Sequence, residues 1–60
     1  MFTATEKLDA VSRELMYRHR VYARRIEEGK MTKALAEKQI AIFMAIKDDY
    51  AALAEKERLL

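Results

Sequence analysis

Apolar residues recur along the chain at helical spacing, in two stretches separated by a short polar interval. In the first stretch they are Leu8, Val11, Leu15, Tyr22 and Ile26, with His19 standing where the stripe would otherwise lapse. In the second they are Leu35, Ile42, Ile46, Tyr50 and Leu53, with Gln39 at the corresponding gap. Steps of three, four and seven put such residues on one side of an α-helix. Gly29 lies between the stretches and is the only glycine in a chain that also has no proline. Because a left-handed backbone costs glycine little, it reads as a helix C-cap. The pattern predicts a helix over about residues 4–28, a turn over 29–32 and a helix over about 33–58.

Local signals at the boundaries agree. Thr3 with Glu6 fits a capping box, with Thr5 as a competing N-cap, and Thr32 is placed to cap the second helix. A loop of about four residues favours antiparallel neighbours. Folding at that loop pairs Ile26 with Leu35, Tyr22 with Gln39, His19 with Ile42 and Leu15 with Ile46. Val11 then meets Tyr50, Leu8 meets Leu53, and Phe2 falls beside Leu59 and Leu60. Every pair is equidistant from the turn, so two independent stripes agree on one register. The expected fold is all-α, a single-domain antiparallel two-helix hairpin.

The second helix carries more apolar surface than one partner helix covers. Leu35, Ala36, Ile40, Ile42, Phe43, Ile46, Tyr50, Leu53 and Ala54 span an arc of roughly 160° at about 100° per residue. Ser12, Met16, His19 and Ala23 form a semi-apolar shoulder on the first helix. Ile40 and Phe43 left in water would be adhesive, so the pattern points to self-association. A two-fold dimer forming a four-helix bundle is the economical solution, though a larger assembly would satisfy the same pattern. Its expected interface is Met16, His19, Ala23, Ile40 and Phe43. Ala34, Ala41, Ala45 and Ala52 line a further face of the second helix, with Met44 between. Close helix approach is one use for them, but filling an exposed face with a good helix former is the plainer one.

Composition narrows the chemistry. The chain has 60 residues, 52% hydrophobic and 37% charged, with a net charge of +2. That suits a folded helical domain close to the lower size limit for a single core. Cysteine is absent, so neither a disulfide, a thiolate metal site nor a cysteine nucleophile exists. With one histidine and one glycine, neither a His-rich metal cluster nor a glycine-rich phosphate loop can form. A histidine pair made by two-fold symmetry would lack matching carboxylates. Asp48-Asp49 and Glu27-Glu28 are adjacent, hence about 100° apart on a helix, and cannot face each other as an acid/base pair. A Glu-x-x-His motif is missing from the second helix, and Ser12 has no triad around it. No catalytic residue, metal or cofactor is therefore expected. No stretch reaches the roughly 18 apolar residues of a membrane span, and no signal-like segment begins the chain, so a cytoplasmic setting is expected.

Residues 1–30 hold seven Lys/Arg against five Asp/Glu, and residues 31–60 hold five of each, so the positive excess lies in the first half. Arg13, Arg20 and Arg24 fall within about 40° on the helical wheel, with Tyr17 alongside. Guanidinium forks bind phosphates and tyrosine stacks on bases, which makes this ridge a candidate nucleic-acid surface. A solvated face pairing with Glu14, Glu27 or Glu28 explains the same residues, and the low net charge favours that explanation. Arg18 and Arg25 lie nearer the seam and are expected to pair structurally, Arg25 close to a helix C-terminus. His19, Tyr22 and Gln39 are expected to form a polar layer that fixes register.

The segment Arg13-Glu-Leu-Met-Tyr-Arg-His-Arg-Val-Tyr-Ala-Arg-Arg-Ile-Glu-Glu-Gly-Lys-Met-Thr32, followed by Ala36-Glu-Lys-Gln-Ile-Ala-Ile-Phe-Met-Ala-Ile-Lys-Asp-Asp-Tyr50, resembles small helical proteins encoded by bacterial phages and prophages. Their shared pattern is R-x-R-V-Y, then G-K-M-T, then I-A-x-M-x-A-I-x-x-D-Y. The resemblance implies a bacterial or phage setting and brings no established activity or functional residues. In shape alone the chain is similar to the plasmid-encoded RNA-binding hairpin that dimerises into a four-helix bundle, an analogy of fold without a shared motif. The expected role is a non-enzymatic, self-associating module that binds another protein, with RNA or DNA binding as the alternative.

Overall fold

The computed structural model describes residues Met1–Leu60 as two helices and their connection. Helix α1 runs Ala4–Glu27 and helix α2 runs Lys33–Leu59. They pack antiparallel as a rod of 48 × 16 × 15 Å. The chain is an all-α hairpin.

Each helix starts where its side chains can satisfy the first backbone donors. The Thr3 hydroxyl accepts from the Glu6 amide at 3.1 Å, and the Glu6 carboxylate accepts in return from the Thr3 amide at 3.1 Å. Thr32 accepts from the Leu35 amide at 3.2 Å. A third donor at the start of α1 is satisfied from across the molecule, because Ala4 N–H donates to both Glu57 carboxylate oxygens at 3.1 Å. That contact joins the open ends of the hairpin, and it places a negative charge at the positive end of the α1 dipole.

The turn is a Schellman motif. Glu28 is the last right-handed residue, Gly29 follows at φ +71°, Gly29 N–H donates to Ile26 C=O at 3.0 Å, and Lys30 N–H donates to Arg25 C=O at 2.9 Å. A Cβ added at Gly29 would meet nothing within 4 Å, so glycine is required there by backbone conformation alone.

Register and rotation are separate matters. Ala4 meets Glu57 and Arg18 meets Phe43, and both contacts keep the register read from the two stripes. The rotation of α2 differs. Leu35, Ile42 and Leu53, expected in the seam, are 47%, 44% and 48% exposed. The seam instead takes Ala36, Gln39, Ile40, Phe43, Ile46, Tyr50 and Ala54 against Ala4, Leu8, Val11, Leu15, Arg18 and Tyr22. Thus α2 is turned by roughly 60°, a little over half of one residue step. Small Ala36 and Ala54 let the helices approach near the two ends, and Phe43 then lies at the height of Arg18. Phe2, Leu59 and Leu60 are exposed and do not form the end packing that their positions suggested. The Glu57 cap closes that end instead.

Only Ala4, Leu15, Tyr22 and Ala36 are buried, and no large side chain is fully enclosed. A left-handed alanine is disfavoured by roughly 1–2 kcal/mol. Gly29→Ala should therefore lower unfolding stability by about 1 kcal/mol in urea titration followed by circular dichroism, and Gly29→Asn should lose less, since asparagine tolerates that conformation better.

Candidate functional site

Two surfaces matter, and both follow from how α1 and α2 face each other. The first is the basic ridge. Arg13, Tyr17, Arg20 and Arg24 are all exposed, on the side of α1 away from the seam. From Arg13 to Arg24 the ridge extends about 16 Å at 1.5 Å per residue. None of its arginines joins an ion pair: Glu14 is held by Arg18 at 2.9 Å and Glu28 by Lys30 at 3.0 Å. The acidic residues nearest in sequence do not neutralise the ridge.

Arg18 behaves differently. Its Nη1 donates to the Tyr22 hydroxyl at 2.8 Å and its Nε to Glu14 Oε1 at 2.9 Å. Its guanidinium lies 4.2 Å from the centroid of the Phe43 ring. The Tyr22 hydrogen bond holds the Arg18 cation above its ordinary range, outweighing an opposing desolvation effect, and the pairing with Glu14 adds less. Lys7 sits over the Tyr50 ring at 5.7 Å, a looser contact of the same kind. The polar layer expected from His19, Tyr22 and Gln39 is thus replaced. Tyr22 takes its hydrogen bond from Arg18, while His19 is exposed and makes no hydrogen bond within the chain. Arg18 reaches Tyr22 along the same helix one turn away, which His19 on the far shoulder does not. Arg25 is exposed in the last turn of α1, where it complements the helix dipole.

The second surface is an open apolar groove along one flank of the hairpin. Its half nearer the turn is lined by His19, Ala23 and Ile26 from α1 and by Ile40, Ala41 and Met44 from α2. It continues past His19 and Met44 to Ser12, Leu15 and Met16. Met16 is 68% exposed. Four of the five residues expected at an oligomer interface, Met16, His19, Ala23 and Ile40, therefore line one continuous face. Phe43 does not. It is half-buried in the seam beneath Arg18, so its place is in the hairpin itself.

Around Phe43 the sequence of α2 is apolar in every direction. Met44 and Ile42 flank it on opposite sides, about 100° each way. Leu35 and Leu53 extend the Ile42 flank, and Ala34, Ala41, Ala45 and Ala52 are exposed on the back. Over residues 40–46 one hairpin partner therefore cannot cover every apolar side of α2. Nowhere do three or more metal-ligating side chains converge, and no helix is long and apolar enough to cross a membrane. Comparison with protein-family models, with curated proteins and with solved structures finds no match.

The seam placement of Phe43 has a direct consequence. Phe43→Lys sets a second cation beneath Arg18 and strips the seam of its largest ring at that height, so its helical circular dichroism should collapse. Tyr17→Glu, on the outer ridge, should retain the wild-type spectrum.

Proposed function

We propose that this chain is a non-enzymatic, self-associating helical hairpin that acts as a protein-interaction module. One observation carries the reading: the central stretch of α2, residues 40–46, is apolar on all sides while only four of 60 residues are buried. The accessible surface is 4970 Å² for 7.0 kDa. A folded monomer of that mass exposes roughly 4,000 Å², so about 900 Å² lies in excess. A standard interface covers about 800 Å² on each partner. The surplus is thus the size of one interface, and a second layer of helices would turn the open hairpin into a four-helix bundle with a core. The Ile42 flank would remain for a different protein partner after the groove is covered. The resemblance to phage- and prophage-encoded proteins makes a bacterial host protein the natural class of such a partner.

Sedimentation equilibrium at micromolar concentration should give a mass of at least twice 7.0 kDa. Helicity and thermal midpoint should both rise with concentration, as mass action requires when folding and association are linked. A folded, concentration-independent monomer would falsify the reading.

A second reading rests on the unpaired ridge. Arg13, Arg20 and Arg24 stand free of acidic partners with exposed Tyr17 among them, a suitable surface for a nucleic-acid backbone. A labelled RNA and DNA pool should then bind at low salt and be released as salt rises. The triple variant Arg13→Ala/Arg20→Ala/Arg24→Ala should lose at least tenfold in affinity. Equal binding by the triple variant and the wild type would exclude the ridge.

A further inference from the structure

The groove carries charges only on its α2 side, and their order along the helix is informative. Lys33 and Glu37 lie at the end near the turn, and Lys47 and Asp48 lie at the other end. Ile40, Ala41 and Met44 fill the apolar interval between them. All four charged residues are exposed, and none forms an ion pair within the chain. The α1 side of the same groove offers Ser12, Leu15, Met16, His19, Tyr22, Ala23 and Ile26, with no acidic, lysine or arginine side chain among them.

We infer that the occupant of the groove is a second copy of this chain, laid so that the two α2 helices run antiparallel with Ile40 and Met44 at the centre. In that arrangement the Lys33–Glu37 pair of one copy meets the Lys47–Asp48 pair of the other, at both ends. Each end holds two cations and two anions, with Glu37 opposite Lys47 and Lys33 about 4.5 Å along the axis from Asp48, a gap that its long side chain spans. Ile40 of each copy packs against Met44 of the other. The competing two-fold arrangement lays α2 over α1 of the second copy. It would press four charges onto uncharged side chains and desolvate them without partners, which is unfavourable. The antiparallel arrangement avoids that loss, and it covers Met16, Ala23, Ile40 and Met44 at once.

The hairpin register extends the geometry to α1. Arg18 lies opposite Phe43, so the residue opposite the middle of the Ile40–Met44 interval is His19. The two α1 helices then cross at His19, with Met16 of one copy near Tyr22 and Ala23 of the other.

The inference rests on self-association as proposed above, and paired charge variants test the two separately. One variant, Glu37→Lys/Asp48→Lys, makes all four groove charges positive. The other, Lys33→Glu/Lys47→Glu, makes them all negative. Single exposed ion pairs contribute little, so both charges are changed together and the work is done at low salt. Alone, each variant should self-associate at least tenfold more weakly than the wild type, as measured by sedimentation. Mixed in equal amounts they should form a one-to-one heterodimer that salt dissociates. Should each variant unfold alone, recovery of helicity on mixing reports the same pairing. Wild-type association with unchanged homodimers of both variants, or with no heterodimer on mixing, overturns the antiparallel α2 interface and leaves self-association standing. A monomeric wild type overturns both, and a different protein seated in the groove would produce that outcome.

Discussion

Two rods lying side by side touch along a line, and a line of contact cannot enclose a side chain. This limit governs the molecule. Leu15 and Tyr22 are buried because they point directly at the opposite helix, while Met16 and Ala23, one step along from each, are exposed. Lengthening the helices would not help, because exposed flank grows with seam. Only a second layer could convert the flanks into a core, so under the proposed self-association burial and assembly would be a single problem. The caps, the Schellman turn and the Glu57 contact settle the ends, but each ties up only a few backbone groups. They define the hairpin without supplying the burial that would hold it.

The hairpin was legible in the sequence because its signals are local. A capping box, a second N-cap and one glycine each act within four residues, and each forms where its residue types placed it. The rotation of α2 was not legible, for the opposite reason. When apolar residues surround a helix, several faces satisfy a hydrophobic stripe equally well, and the choice passes to particular long-range contacts. Here those are Arg18 against Phe43 and the small residues Ala36 and Ala54. The clue was available in part: Arg18 lies one turn from Tyr22 on the seam side of α1, and a guanidinium there favours an aromatic face. Glu57 gave no such clue, since nothing local links it to Ala4, 53 residues away.

This distinction also sorts the candidate residues. Those on α1 were placed by a clear amphipathic pattern, so the exposed ridge and the Met16–Ala23 shoulder are where the wheel puts them. Phe43, on the ambiguous helix, moved from the expected interface into the seam, and the Leu35–Ile42–Leu53 stripe moved out of it. The exchange leaves the total exposed apolar surface large. What it changes is which residues a partner would meet: aliphatic and thioether side chains, which adapt their shape, in place of a rigid ring.

Association and the arginine ridge are linked by symmetry. The ridge lies on the outer edge of α1, away from α2, so covering the groove leaves it free. With the α2 helices antiparallel across the groove, the two-fold axis would run between the hairpins, parallel to their planes and perpendicular to the helices. That axis stacks α1 on α1 and brings both ridges to the same side of the bundle. Arg13, Arg20 and Arg24 of the two copies then form one continuous basic surface, where the competing arrangement would leave two separate ridges on opposite sides. A polyanion gains from the first geometry because contiguous phosphates can be neutralised together, each contact adding to counterion release. In the proposed dimer, the weak net charge of one chain would therefore understate the field of the whole. Under that proposal, the dimer axis would decide whether the ridge acts as one surface or as scattered solvated charges.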